Sequence, residues 1–368
     1  MPAISKLTIA GYKSIRELRE FELRDLNVLI GANGSGKSNF ISFFRMLAEM
    51  YGQRFRIYVG KQGGADFILR YGRKMTRQAS GEIEFSDDFG RYDFTLDSNK
   101  ENGLVFAQEG VQFPGSQRMP LVSPSVYESA LPELKKIVQD KGCEFDDMAR
   151  TIPPIDRIRV YHFHDTSDLA TVKQIHARND NLRLKNDAAN LAPFLRMLRE
   201  QYEGHYRAIV ESIRLVAPFF DDFVYREGNP ATVELEWTER GNPDASFNAH
   251  ILSDGTLRFI CLATLLQQPV ELMPPVILLD EPELGLHPFA INILADLLEL
   301  AAEQVQLIVA TQSVPLLSCL KPEDIVVVDR QDNASTFRRL DEAELGTWLE
   351  NYSLGELWEM NVLGGRPA

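Results

Sequence analysis

The chain has 368 residues, 44% hydrophobic and 25% charged, with a formal net charge of −14. That composition excludes a disordered or collagen-like chain and allows a core large enough to need no staples. The negative balance argues against a general polyanion binder, because unbiased attraction to phosphate needs positive potential.

Ile4 to Ile9 alternates like a half-buried strand, and the compact apolar run Leu26 to Ile30 predicts a buried one. That run feeds straight into a Gly-rich loop. Beyond the loop, Phe40, Phe43, Phe44, Leu47 and Met50 recur at helical spacing, which predicts a helix over Asn39 to Tyr51. Short alternating runs at Gly81–Phe85, Tyr92–Leu96 and Leu104–Phe106, separated by polar clusters, predict an antiparallel meander. A helical patch over Val126 to Asp140, a strand over Arg157 to Phe163 and mostly helix over Ala188 to Leu215 follow. Ala231 to Trp237 reads as a further alternating strand, and Asp254 to Leu266 as a helix. Val276–Leu279, Gln306–Ala310 and Ile325–Val328 are short apolar strands. Trp237, Trp348 and Trp358 read as packing residues. The pattern is α/β.

The three cysteines, Cys143, Cys261 and Cys319, form no CxxC pair, which argues against a zinc site and a disulfide framework. No apolar stretch approaches the roughly 20 residues of a membrane span, and the first residues lack a secretory pattern, so a cytoplasmic location without a membrane partner is expected. Charge is uneven. Arg54, Arg56, Lys61, Arg70, Arg73, Lys74 and Arg77 face a single acid, Asp66, whereas the stretch from Leu340 to Met360 is acidic. A basic surface on an acidic protein and ordinary solvated faces both fit this distribution.

Residues Gly31-Ala32-Asn33-Gly34-Ser35-Gly36-Lys37-Ser38 satisfy G-x-x-x-x-G-K-[ST]. The glycines let backbone N–H groups approach phosphate oxygens, and the helix that follows adds its positive dipole end. Lys37 supplies a charge for the β- and γ-phosphates, and the Ser38 hydroxyl a ligand for Mg²⁺. The strand before and helix after are the context this chemistry requires. A second motif, Val276-Ile277-Leu278-Leu279-Asp280-Glu281, is an apolar strand ending in two carboxylates. Asp280 suits the Mg²⁺ shell, and Glu281 suits a water attacking the γ-phosphate. A third, Leu252-Ser253-Asp254-Gly255-Thr256, opens a helix with a hydroxyl and free N–H groups. It reads either as a simple N-cap or as a second phosphate cradle.

Together these motifs resemble the ABC-type ATPases, in particular the RecF/SMC-like branch and the compact AAA-type ATPases related to the ATPase half of OLD-family proteins. Further residues carry the resemblance: Gly11-Tyr12-Lys13-Ser14, Asn190-Leu191-Ala192, Asp280-Glu281-Pro282-Glu283-Leu284-Gly285-Leu286-His287-Pro288 and Ala310-Thr311-Gln312-Ser313. The spacing of 216 residues from Lys37 to Ser253 separates the chain from transporter ATPases and matches a head with its own helical lobe. Without heptads, no long coiled-coil arm is expected from it.

The resemblance implies a P-loop NTPase fold of ABC-head type, with a mixed core sheet, an antiparallel β subdomain and a helical lobe. It implies a single head over 1–368, with an N-terminal lobe over 1–125, a helical lobe over 126–250 and a C-terminal lobe over 251–368. ATP and Mg²⁺ are the implied cofactors. Gly31, Asn33, Gly34, Ser35, Gly36, Lys37, Ser38 and Asn39 would hold nucleotide, with Ser253 and Gly255 reaching a partner's. Ser38 and Asp280 would hold the metal, and Glu281, Lys37 and Gln312 would act in catalysis. Gln312 stands where relatives often carry a switch histidine, and it cannot titrate near neutral pH. Tyr161-His162-Phe163-His164-Asp165 stands where a Q-loop is expected, or is a strand-end polar cluster. His287 would touch a partner subunit. The implied partner is a second copy, head to tail around two ATP molecules. DNA and a separately encoded nuclease or other effector are further candidates, in repair or antiviral defence. No Toprim nuclease domain is expected in the roughly 55 residues after Ser313. A slow nucleotide-gated switch acting on a protein partner without DNA is the competing class.

Overall fold

The computed structural model describes residues 3–86, 89–121, 125–140, 152–226 and 231–365. Cys143 lies outside them; Cys261 is buried and Cys319 exposed, both as free thiols. Along the chain come β1 (Ile4–Tyr12), β2 (Ile15–Glu22), β3 (Leu26–Ile30), α1 (Lys37–Tyr51), β4 (Gln78–Phe85), β5 (Arg91–Ser98), β6 (Leu104–Gln112) and β7 (Met119–Pro120). Then follow α2 (Leu131–Asp140), β8 (Ile158–Tyr161), β9 (His176–Ala177), α3 (Leu191–Gln201), α4 (Glu203–Val216), β10 (Phe220–Val224), β11 (Thr232–Val233), β12 (Glu236–Glu239) and β13 (Asn242–Asn248). The remainder holds α5 (Asp254–Gln267), β14 (Val276–Asp280), α6 (Pro288–Ala302), β15 (Gln306–Thr311), β16 (Ile325–Gln331) and β17 (Ala334–Arg339).

The meander becomes a six-stranded antiparallel sheet ordered β2-β1-β4-β5-β6-β7. The short apolar strands expected at 276–279, 306–310 and 325–328 join the core sheet, β17-β16-β3-β15-β14-β8. In it β16, β3, β15, β14 and β8 run parallel, and β17 pairs antiparallel at one edge. A strand buried on both faces reads as a near-continuous apolar run, and β3 and β15 are buried throughout, their polar Asn27, Gln306 and Thr311 all hydrogen-bonded.

Period two sorts the side chains of this sheet between two cores. Leu29, Val276, Leu278, Ile308, Ala310, Val326 and Val328 pack with the apolar face of α1 and the inner face of the antiparallel sheet. Val28, Ile30, Ile277, Leu279, Leu307, Val309, Ile325 and Val327 face the other way, toward residues of α3, α4, α5 and α6. The Gln306 carboxamide joins the two sheets: it donates to Ile4 O and accepts from Ile4 N, both at 2.9 Å.

Two expectations shift. The strand expected over 231–237 is split: β11 pairs with β9, whereas β12 joins a separate sheet with β10 and β13. Trp237 on β12 is buried between Phe220, Phe219 and Phe247, which fixes that register by aromatic packing rather than by alternation. The helical patch starts at Leu131, because Val126 instead bridges to Phe106. Of the tryptophans, Trp358 is buried and Trp348 exposed. No helix among the described residues is long and apolar enough to cross a membrane.

Candidate nucleotide-binding site

Three neighbouring parallel strands end side by side. Ile30 of β3 is in register with Thr311 of β15, and Ala310 with Asp280 of β14. The Gly-rich loop therefore leaves β3 next to Gln312, which follows β15, and next to Glu281, which follows β14. The crevice beyond the carboxyl ends of parallel strands is where such sheets bind ligands.

The loop is held from behind. Ser335 Oγ donates to Ser35 O at 2.5 Å and lies 2.6 Å from Ser14 Oγ, to which Asn39 donates at 2.7 Å. Ala32 N donates to Gly365 O at 2.9 Å. Gly36 needs its missing side chain twice over: its φ is +122°, and a Cβ there would lie 2.0 Å from Ser335 Oγ. A Cβ on Gly31 would meet Val328 O at 2.2 Å. Lys37, the first residue of α1, is buried and donates to Gly31 O at 2.5 Å and Ala32 O at 3.2 Å. Burial lowers its pKa, while Glu281, Asp280 and Glu283 raise it in that order. Asn33, Gly34 and Ser38 are exposed.

Burial pushes the Asp280 carboxyl up, with Arg45 opposing and Glu281 adding to the rise. Glu281 sits at φ +47°, a conformation that costs a non-glycine residue on the order of 1 kcal/mol, and its N–H donates to Ala310 O at 2.7 Å. Its Oε1 accepts from Gln312 Nε2 at 2.6 Å. Glu283 accepts from Thr311 Oγ1 at 2.5 Å, and burial raises its pKa. Among the described residues, Glu283 Oε2 and Ser35 Oγ are buried without a partner. Hydroxyl and carboxylate oxygens form a hard donor set, which fits Mg²⁺ better than a thiolate- or imidazole-seeking metal.

Ser253 caps α5, accepting from Thr256 N at 3.2 Å. The capping reading therefore holds within this chain, and the exposed hydroxyl also stays at the surface. A Cβ on Gly255 would lie 2.5 Å from Gly285 O, so the signature turn packs on the loop after β14. His287 caps α6 and is exposed. His164 Nε2 lies 2.8 Å from Asp280 O, so the strand-end cluster does meet the acidic motif. Its ring stacks 4.1 Å from His162, whose pKa burial lowers to about 4. No group of three or more His, Cys, Asp or Glu among the described residues could hold a metal on its own.

One residue escaped the sequence reading. Arg45 falls on one stripe of α1 with Lys37 and Ile41, and faces Asp280 and His162. Its only sequence signal is a cation inside an apolar helical face. Arg258 on α5 donates to Leu284 O at 2.7 Å and His164 O at 3.0 Å, linking the signature helix to both loops around Asp280. Arg258→Ala will free two carbonyls and lower stability by about 3 kcal/mol, measured as denaturant midpoint. An unchanged midpoint would show that the joint is slack.

The fold is that of SMC head domains. The crystal structure of an SMC head bound to the C-winged helix domain of ScpA superposes with a TM-score of 0.63 at 17% identity, covering 93% of this chain and 99% of that one. An SMC head with an extended coiled coil from Pyrococcus furiosus gives 0.56 at 17%, covering 95% and 99%. One from Pyrococcus yayanosii, with coiled coil and joint, gives 0.53 at 13%, covering 95% and 99%. At these identities the likeness shows the fold. No curated protein matches the chain. Residues 26–117 and 147–318 match the family described as "AAA domain, putative AbiEii toxin, Type IV TA system", and the chain belongs to that family.

Proposed function

We propose that the chain is a Mg²⁺-dependent ATPase that closes on a second copy around two ATP molecules. The observation that carries this reading is the row of strand ends placing the Gly-rich loop, Gln312 and Glu281 together. Gly31, Asn33, Gly34, Ser35, Gly36, Lys37, Ser38 and Asn39 cradle the phosphates. Ser38 and Asp280 would hold Mg²⁺, which supplies charge neutralisation at the phosphate oxygens. Glu281 orients the attacking water, and Gln312 holds the Glu281 carboxylate through the 2.6 Å bond. Ser253 and Gly255 complete the site of the partner copy. The lobes at 1–125, 126–250 and 251–368 are parts of one head.

A Ser253→Asp variant keeps the N-cap and opposes a partner's γ-phosphate with a negative charge. ATP affinity should stay within about threefold while turnover drops about a hundredfold. If binding is lost as in a Lys37→Ala variant, the composite site is wrong.

DNA-linked work with a separately encoded effector is the role we favour. Arg54 and Arg73 are paired with Glu49 and Asp66, but Lys61 and Lys74 are not paired among the described residues, and Phe67 and Met75 beside them are 70% and 75% exposed. The competing switch on a protein partner rests on Gln312, which is exposed and carries no proton to transfer. ATPase turnover with and without duplex DNA separates the two. Stimulation that fades as salt rises supports DNA, and none at any salt supports the switch.

A further inference from the structure

Arg159 lies on β8, and Arg157 ends the short 3₁₀ turn just before it. Ile158 and Val160 are buried on the α1 side of the core sheet, so period two turns Arg159 and Tyr161 to the other face, where Arg157 joins them. There they line a cleft closed by Arg183, Leu184 and the segment from Glu271 to Pro274. Three guanidinium groups meet one carboxylate. Arg159 commits one nitrogen to Asp156 O and Ile158 O, at 2.5 and 3.1 Å. Among the described residues, Arg157 and Arg183 have no side-chain hydrogen bond or ion pair. Burial raises the pKa of the Tyr161 phenol while Arg159 and Arg183 oppose the rise, so both charges lie close to one ring.

β8 is an edge strand, and charge on an edge also deters pairing with other chains. Edge protection alone would not bring in Arg183, which comes from a separate loop. We propose that this cleft is a second anion site, taking a phosphoryl group in the fork of Arg157, Arg159 and Arg183. It is distinct from the Gly-rich loop. Pro274 lies before the start of β14 and Asp280 at its end, about 20 Å apart at a strand's rise per residue. Tyr161 forms a wall of this cleft and also of the one bounded by His164, Asp280 and Glu281, so the two clefts share a side chain.

The phosphoryl group can come from a small phosphate or from the 5′ end of a nucleic acid. The test uses the Lys37→Ala chain, and in parallel the wild type saturated with a non-hydrolysable ATP analogue, to silence the Gly-rich loop. Inorganic phosphate is titrated first by calorimetry, then a 5′-phosphorylated oligonucleotide and the same strand with a 5′-hydroxyl. Phosphate should bind with a Kd of about 1 mM or tighter, and Arg157→Gln with Arg183→Gln should weaken it at least tenfold without shifting Tm. A tenfold preference for the phosphorylated strand assigns the group to nucleic-acid ends, and equal binding of the two strands assigns it to a small phosphate. Absence of phosphate binding, or equal binding by the double variant, overturns the site.

Discussion

Replacing Lys37 by alanine is expected to weaken ATP binding about a thousandfold. The ammonium is buried, bonded to the carbonyls of Gly31 and Ala32, and surrounded by the fields of Glu281, Asp280 and Glu283. Without it, the triphosphate would meet those carboxylates with no compensating charge. One charge pair at contact is worth about 4 kcal/mol at the effective dielectric of a partly buried site, close to three decades in Kd. Calorimetric titration with ATP and Mg²⁺ checks it, with Tm as the control for folding. A loss of less than tenfold would place the phosphates away from this loop.

Glu281→Gln should have the opposite profile: ATP stays bound and hydrolysis falls by about 10² to 10⁴, the range for a lost general base. Glutamine keeps the length of the side chain and can still bond the Gln312 amide. It keeps the φ of +47° at the cost already borne by glutamate. What it lacks is the charge that orients and deprotonates water. ATP should then accumulate with the closed pair, and sedimentation velocity would read a dimer only with nucleotide. A monomer under saturating ATP would sink the head-to-tail arrangement, and near-normal turnover would remove Glu281 from the chemistry.

The nucleotide end of the molecule was legible because its chemistry is local. The apolar run at Leu26–Ile30, the glycines and Lys37 lie within twelve residues, and the run ending in Asp280-Glu281 stands in one line of sequence. The strands of the meander were legible for a similar reason: one solvated face leaves alternation in the sequence, as in Arg91–Ser98. What failed was long-range. Val126 looked helical but is claimed by a bridge to Phe106, and Ala231–Trp237 looked continuous but is divided between two sheets. Arg45 gave almost no signal, because the Asp280 charge it acts on is remote in sequence. Lone arginines on helices are ordinarily surface residues.

β15 has every side chain buried and lies between β3 and β14. The phosphate loop and the acidic strand therefore cannot part without breaking one of the two ladders of this strand. Its amides should be among the last in the protein to exchange with deuterated water. Any rocking that accompanies nucleotide turnover then belongs to the helices behind the sheet, which grip this rigid slab through contacts such as that of Arg258, and not to a hinge between the two halves of the pocket.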